Sequence, residues 1–333
     1  MLKSRIESFL TFIKGKNLLI ITHHPTDLDG FISSISLKFF LETFFKSQEV
    51  SIYFSELSKF TKDFLKNFRT LFPDFSLNYS EQIYIPLFDT ILIIDTNNLD
   101  QLYYKELDFS TPFIFIDHHL NLNKNYRANL DSLNLIFENY SSTAEIILEL
   151  FRIKQVSIPI PYKVLLASAI IADSGLFKYG NNQTIHNISF LLENGIPIQE
   201  ILNLLESDSE LSERIARVKG LKRVGLLKAE NWLIGVSRVS NFSASVATTL
   251  INVGFDVGII FSKKKDGTII TTRARKEVCQ KTGLHLGRIL SNIEGCSGGG
   301  HDGAASLNCI NNAEGILKKV IDKIKKVLMT KSS

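Results

Sequence analysis

The sequence predicts an α/β protein with two domains, an N-terminal parallel sheet and a smaller C-terminal α/β domain, joined by a helical linker. Two observations predict this. Continuous apolar runs alternate with helical stretches up to about residue 190, which is typical of parallel strands buried on both faces. A second strand-rich stretch begins near residue 223 and ends in the glycine-dense segment 295–306. We therefore place the domains at 1–195 and 223–333, with the linker at 196–222.

The elements of the N-terminal domain follow from hydrophobic patterning. After an amphipathic N-terminal helix, strands are predicted at 18–22, 49–55, 90–95 and 112–117. Helical spacing follows the first strand, and the stretches AEIILELFRI and YKVLLASAIIAD also indicate helices. Because ligands of open α/β sheets bind off the carboxyl ends of the strands, the polar residues that follow these strands should share one edge.

The C-terminal half has a different pattern. The segment 196–222 is polar and helical, without strand character, and is interpreted as the linker. Strands are predicted in NWLIGVSRV, VGFDVGIIFS and TIITTRAR, and KKDG at 264–267 is typical of a hairpin turn. A lysine-rich helix closes the chain, and its lysines are interpreted as a solvated face.

Composition restricts the functional class. The 333 residues suffice for two domains, and 44% hydrophobic with 22% charged residues is typical of a soluble globular protein. A net charge of +4 is too small to indicate a nucleic-acid coat or a membrane surface. No apolar run reaches the ~18 residues of a membrane span. Cys279, Cys296 and Cys309 form no CxxC pair, so we expect free buried thiols and a cytoplasmic protein.

Residues that can bind metal ions follow several apolar runs. They are His23, His24, Asp27, Asp29, Asp95, Asp117, His118, His119 and Asp173. A lone Asp after a strand is more often a helix cap, but five of the seven histidines lie in these clusters or in the glycine-dense segment. Imidazole and carboxylate without thiolate favour Mn²⁺ or Mg²⁺ over structural zinc. Several aspartates on one edge would be neutralised by two divalent ions, the usual arrangement for attack on phosphorus.

The motifs resemble those of a known family. THHPTDLDG, LIIDTNN, IDHH and ASAIIADSGLF are similar to the four ordered motifs of the DHH phosphoesterases. SSTAEIILEL resembles the segment before the fourth motif, while TTRAR and GCSGGGHDGAAS resemble the signatures of the DHH-associated C-terminal domain. The resemblance covers residues 15 to 325 and is greatest to the nanoRNase and oligoribonuclease branch, which is related to bacterial single-strand exonucleases.

The resemblance implies a role for each matched residue. One metal would be bound by His23, Asp27 and Asp95, and the other by Asp29, Asp95, His118 and Asp173. His119 would face the scissile phosphate, and Asp117 would orient an imidazole. The far end of the substrate would be bound by Arg273 and by a loop that contains Gly298, Gly299, Gly300 and His301. Spacing favours His23 over His24 as the ligand, since His23 lies four residues before Asp27.

The resemblance implies a two-metal phosphodiesterase that hydrolyses short single-stranded RNA or DNA to nucleoside 5′-monophosphates. Mn²⁺ is the favoured cofactor, with Mg²⁺ or Co²⁺ as alternatives. Two other functions stay open: hydrolysis of 3′-phosphoadenosine 5′-phosphate or cyclic dinucleotides, and an inactive scaffold of a replication complex. A membrane partner is not expected, whereas a homodimer and a replication or repair partner remain open. A dinucleotide-cofactor protein is disfavoured, since no GxGxxG follows the first strand.

Overall fold

A computed structural model describes residues 2–80, 88–103, 111–119, 130–193, 195, 197–206, 210–264, 267–310 and 313–329. The chain divides into two compact units, Met1–Ser207 and Asp208–Ser333. Both units combine helices with a sheet, and the sheet of the first is parallel. The predicted fold class is therefore confirmed.

The first unit contains seven α-helices and five strands among its described residues. In chain order they are α1 (Leu2–Ile13), β1 (Leu18–Thr22), α2 (Leu28–Phe45), β2 (Val50–Ile52), α3 (Lys59–Leu71), β3 (Thr90–Ile94), β4 (Phe113–Asp117), β5 (Leu135–Ile136), α4 (Thr143–Lys154), α5 (Ile160–Asp173), α6 (Asn182–Leu192) and α7 (Ile198–Leu205). The predicted strands at 18–22, 90–95 and 112–117 agree with β1, β3 and β4. The predicted strand at 49–55 corresponds to the shorter β2, because the apolar pattern continues beyond the residues that pair in the sheet.

The sheet of the first unit is buried on both faces. Its strand order is β2-β1-β3-β4-β5, with all pairs parallel. Because side chains alternate along a strand, Leu18 and Ile20 of β1 enter the large core formed with the helices, while Leu19 and Ile21 enter a smaller core on the opposite face. This explains why the strands read as continuous apolar runs.

The second unit has a mixed sheet. Its elements are α8 (Leu211–Lys222), β6 (Gly225–Ala229), β7 (Trp232–Arg238), α9 (Ser243–Asn252), β8 (Val257–Lys264), β9 (Gly267–Ala274), α10 (Lys276–Thr282), α11 (Leu286–Ser291), β10 (Cys296–Gly300), β11 (Ala304–Cys309) and α12 (Ala313–Met329). The strand order is β10-β11-β9-β8-β7-β6, antiparallel except between β7 and β8. The predicted turn at 264–267 includes residues 265 and 266, which lie outside the described residues.

The segment predicted as a linker forms two helices. Helix α7 belongs to the first unit and α8 to the second. Each helix buries part of its apolar side, with Ile201 in the large core of the first unit and Ala216 beside a core of the second. Over the described residues, every helix is too short or too polar to cross a membrane.

The prediction of free cysteine thiols was wrong for two of the three. Cys296 and Cys309 form a disulfide, while Cys279 is a free, buried thiol. The antiparallel register of β10 and β11 sets Cys296 directly opposite Cys309, with their Cα atoms 4.5 Å apart. That separation is within the range of disulfides. The expectation of a reducing compartment therefore loses the support that free thiols gave it.

Candidate metal centre

Three adjacent parallel strands bring the predicted residues to one edge of the sheet. The order β1-β3-β4 aligns the carboxyl ends of these strands. His23 follows β1, Asp95 follows β3, and Asp117 is the last residue of β4. Asp173 joins them from the end of α5. Aliphatic side chains place each strand in the core, so the polar residue after it emerges at the edge.

The loop after β1 directs His23 towards the other site residues. His23 Nε2 lies 3.4 Å from Asp27 Oδ1 and 3.6 Å from Asp95 Oδ2. Asp27 also caps α2, because its Oδ1 accepts a hydrogen bond of 2.9 Å from Gly30 N. His24 has a different environment, with its Nδ1 2.8 Å from Ser55 Oγ. The geometry thus favours His23 over His24 as the metal ligand.

Gly30 allows this packing, because a side chain there would collide with the site. A Cβ at position 30 would lie 2.6 Å from Thr22 Oγ1 and 3.3 Å from Asp95 Oδ2. Real Cβ contacts of 2.6 Å essentially do not occur, so any other residue would displace the Thr22 hydroxyl and crowd the Asp95 carboxylate. The glycine after the DxD sequence therefore has a steric role at the metal centre.

Asp95 lies between the two halves of the site. It is 3% exposed and has a left-handed backbone with φ of 59°, a conformation that costs free energy and tends to persist where function requires it. Its Oδ2 faces His23, while its Oδ1 lies 3.6 Å from His118 Nε2. Oδ1 also accepts a hydrogen bond of 2.9 Å from Thr143 Oγ1. One carboxylate thus faces two groups of potential ligands.

Asp29 is held by the first turn of α4. Its Oδ2 accepts a hydrogen bond from Thr143 N at 2.6 Å, and its Oδ1 accepts one from Ala144 N at 3.0 Å. Ser33 Oγ donates a further hydrogen bond of 3.2 Å to Oδ1. The amino terminus of a helix favours a carboxylate at this position. Each oxygen has two acceptor directions, so Asp29 can receive these donors and still bind a cation.

Our sequence reasoning did not assign a role to Thr143. It contacts Asp29 through its backbone and Asp95 through its hydroxyl, and it is fully buried. The sequence does predict that a helix begins at Thr143, because SSTAE has the helix-start pattern of a Ser followed three residues later by Glu. Ser142 caps α4 by accepting a hydrogen bond from Glu145 N at 3.3 Å.

The DHH sequence orients two imidazoles differently. Asp117 Oδ1 accepts a hydrogen bond of 2.8 Å from His118 N and lies 2.8 Å from His119 Nδ1. His119 is 58% exposed, and its carbonyl accepts a hydrogen bond of 3.0 Å from Asn97 Nδ2. The buried Asp117 therefore fixes the direction in which His119 faces solvent.

His118 points inward, towards Asp173. Its Nε2 is 3.1 Å from Asp173 Oδ2, yet this buried nitrogen has no hydrogen-bond partner with acceptable geometry in the described part of the chain. Buried polar atoms are nearly always satisfied. A buried imidazole nitrogen that faces two carboxylates and lacks a hydrogen-bond partner has the arrangement expected of a metal ligand.

Electrostatics within the site also favour a cation. Burial, and then the charges of Asp173 and Asp27, raise the pKa of Asp29 to about 7. Burial and the charges of Asp29 and Asp27 raise the pKa of Asp95 well above its ordinary value. Burial alone would lower the pKa of His118, but the contact with Asp173 and the charge of Asp29 raise it to about 9. The carboxylates repel each other, and positive charge relieves that repulsion.

The residues form groups that could hold divalent metal ions. Ligand atoms within 4.8 Å of one another form three overlapping groups: His23, Asp27 and Asp95; Asp29, His118 and Asp173; and Asp95, Asp117, His118 and His119. Asp95 is common to the first and the third group. Oxygen and imidazole donors suit Mn²⁺ or Mg²⁺, and the unsatisfied His118 nitrogen supports the fit.

The predicted substrate-binding residues lie together in the second unit. Arg273 on β9 pairs with Ala304 on β11, and Gly300 on β10 pairs with the next residue, Ala305. His301 follows Gly300 directly and is exposed. In the sheet, β11 therefore separates Arg273 on β9 from the glycine segment on β10.

The glycine segment is a strand rather than the loop that the sequence predicted. Gly298, Gly299 and Gly300 belong to β10. A Cβ at Gly298 would lie 2.6 Å from the carbonyl oxygen of Ser306, whereas a Cβ at Gly299 would meet Ser291 Oγ only at 3.8 Å. Close strand packing therefore accounts for Gly298, and Gly299 is the member with free space beside it.

Comparison with known proteins identifies the family to which the first unit is similar. Residues 17–170 match the N-terminal domain of the DHH family. The chain is 30% identical over 322 residues to an uncharacterized protein of Methanocaldococcus jannaschii, covering 95% of this chain and 94% of that protein.

Solved structures with a similar fold include an exopolyphosphatase-related protein from Bacteroides fragilis. It has a TM-score of 0.72 and 18% identity, covering 98% of both chains. A pGpG-specific phosphodiesterase from Vibrio cholerae has a TM-score of 0.49 and 12% identity, covering 95% of this chain and 100% of the other. The first of these likenesses supports the fold.

Proposed function

Because the chain belongs to the DHH family of metal-dependent phosphoesterases, we propose that it hydrolyses short single-stranded RNA or DNA to nucleoside 5′-monophosphates. The observation that carries the proposal is the position of Asp95, whose two carboxylate oxygens face His23 on one side and His118 on the other. Two cations bound side by side suit attack on a phosphodiester.

Six residues would hold the ions in this proposal. They are His23, Asp27, Asp29, Asp95, His118 and Asp173. Two divalent ions, with Mn²⁺ favoured, would activate a water molecule and stabilise charge on the phosphate oxygens. Thr143 fixes the orientation of Asp95 and Asp29 through its hydroxyl and its backbone N–H.

In this proposal, His119 is the side chain that would act directly on the substrate, alongside the metal ions. Its exposed ring is anchored by Asp117 through a contact of 2.8 Å, so it can meet a phosphodiester without losing its orientation. It would donate a proton to the leaving oxygen or polarise a phosphate oxygen. Asp117 would have a positioning role, because it contacts His119 and orients its ring.

Arg273, Gly298, Gly299, Gly300 and His301 would bind the far end of the substrate. A guanidinium fork matches phosphate oxygens, and the space beside Gly299 allows close approach of a ligand to the backbone. A long duplex would require a broad basic surface, and a net charge of +4 does not supply one.

A length series tests the proposal. Metal-free protein would be supplied with Mn²⁺ and with 5′-labelled RNA and DNA from dinucleotides to about 24-mers, together with 3′-phosphoadenosine 5′-phosphate and cyclic di-adenylate. We expect the fastest turnover for the shortest oligomers and none with EDTA. Preferred turnover of the phosphorylated or cyclic nucleotides would replace the oligonucleotide assignment. Failure on all substrates with metal demonstrably bound would contradict it.

A further inference from the structure

An exposed aromatic ring lies beside the metal centre and has no part in the chemistry described above. Tyr103 follows the short turn after β3 and is 62% exposed. Its ring lies 4.7 Å from the ring of His24, centroid to centroid, at an angle of 36°. Tyr103 is therefore largely exposed to solvent, although burial of an aromatic ring usually gains free energy.

Both rings are held by the loops that carry them. The backbone N–H of His24 donates a hydrogen bond of 2.9 Å to the carbonyl of Gln101, and His24 Nδ1 is 2.8 Å from Ser55 Oγ. Leu102 N donates to the carbonyl of Leu99 at 3.0 Å, and Leu99 and Leu102 pack against the smaller core. These contacts fix the backbone immediately before Tyr103, and the His24 ring lies against its side chain, which limits the entropy lost when a ligand binds to it.

The ring pair lies next to the metal centre along the chain and in space. His24 directly follows His23, whose Nε2 is 3.6 Å from Asp95 Oδ2. Tyr103 arrives from the loop after β3, the same loop that begins with Asp95. Two of the strand-end loops that supply metal ligands thus also supply the two rings.

We infer that Tyr103, supported by His24, is a stacking surface for a nucleobase of the substrate. A phosphodiester bound at Asp95 would have a nucleoside on each side, and one of its bases would lie on Tyr103. Every base has a π-face, so such a surface favours nucleotides without selecting a sequence. Pyrophosphate and polyphosphate have no base and would gain nothing from it. The inference rests on the proposed function and narrows its substrate class.

The test combines changes in the protein with changes in the substrate. Wild type, Tyr103→Ala, Tyr103→Phe and Tyr179→Ala would be assayed on a dinucleotide and on the two analogues in which one base is replaced by hydrogen. Tyr179 is a matched control, because it is also 62% exposed but has no described aromatic neighbour. Thermal melting would confirm that all variants are folded.

We expect Tyr103→Ala to reduce kcat/KM for the dinucleotide about tenfold or more, with Tyr103→Phe and Tyr179→Ala close to wild type. Removing one of the two bases should cost wild type a similar factor and cost Tyr103→Ala nothing further. An equal loss for Tyr103→Ala on every substrate, or no loss on the dinucleotide, would overturn the inference.

Binding separates this inference from the proposed function. Adenosine 5′-monophosphate and inorganic phosphate would be titrated against wild type and Tyr103→Ala by ligand-observed NMR. Weaker nucleotide binding with unchanged phosphate binding supports the stacking surface, even if the oligonucleotide assay fails. Equal nucleotide binding by the two proteins would refute it.

Discussion

Replacing Thr143 with valine tests whether the metal centre depends on α4. Valine has nearly the same shape as threonine but no hydroxyl, so the change removes the hydrogen bond of 2.9 Å to Asp95 Oδ1. The backbone N–H that donates to Asp29 at 2.6 Å is retained. The variant therefore isolates one contact of a fully buried residue.

The expected loss of metal affinity follows from the burial of both Thr143 and Asp95. Asp95 is 3% exposed, so water cannot easily replace the lost donor, and an unsatisfied buried acceptor costs ~1–3 kcal/mol. Loss of a partner that orients a metal ligand typically reduces metal affinity by about 10–100-fold. We expect a loss in that range for Thr143→Val and near wild-type affinity for Thr143→Ser, which keeps the hydroxyl.

Competition with a metal-sensitive chelator measures this directly. Metal-free wild type, Thr143→Val and Thr143→Ser would each compete with the dye for Mn²⁺, with the fold checked by circular dichroism. If Thr143→Val binds Mn²⁺ as tightly as wild type, Thr143 does not control the orientation of Asp95, and the reasoning is refuted.

Two further predictions concern acid–base behaviour and substrate binding. Without metal, stability should fall as pH rises from about 4 to 9, because Asp29, with its pKa raised to about 7, and His118, with its pKa raised to about 9, both bind more protons when folded than when unfolded. Urea titrations across this range would measure the slope, and stability that rises with pH would contradict it. Arg273→Ala should raise KM for dinucleotides about tenfold or more with little change in kcat, since a charge-assisted hydrogen bond to phosphate is lost. Steady-state kinetics with Arg275→Ala as control would test this, and unchanged KM would remove Arg273 from the binding site.

Much of the site could be predicted because it follows from one topological rule. Polar residues after buried parallel strands meet at the carboxyl edge of the sheet, so Asp95 and the residues after β1 and β4 were expected to cluster. The rule says where residues lie, but not which way a side chain points. His23 and His24 could be separated only by spacing, whereas the structure directs His23 to Asp95 and His24 to Ser55.

The features that sequence reasoning missed depend on contacts between distant segments. Thr143 contacts Asp29 across 114 residues and Asp95 across 48, and the helix-start pattern in SSTAE indicates where α4 begins but not these contacts. The Cys296–Cys309 disulfide and the strand form of Gly298–Gly300 both depend on the hairpin register of β10 and β11. That register is decided by packing, and spacing along the chain does not reveal it.

The most direct test of the central claim is the number of divalent ions that Asp95 holds. Mn²⁺ would be titrated calorimetrically into metal-free wild type and Asp95→Asn. Asparagine tolerates the left-handed backbone at this position, so the fold should survive. We predict two ions per wild-type chain and the loss of tight binding at both positions in Asp95→Asn. A single ion in wild type, or two tightly bound ions in Asp95→Asn, would contradict the assignment of Asp95 as the shared ligand.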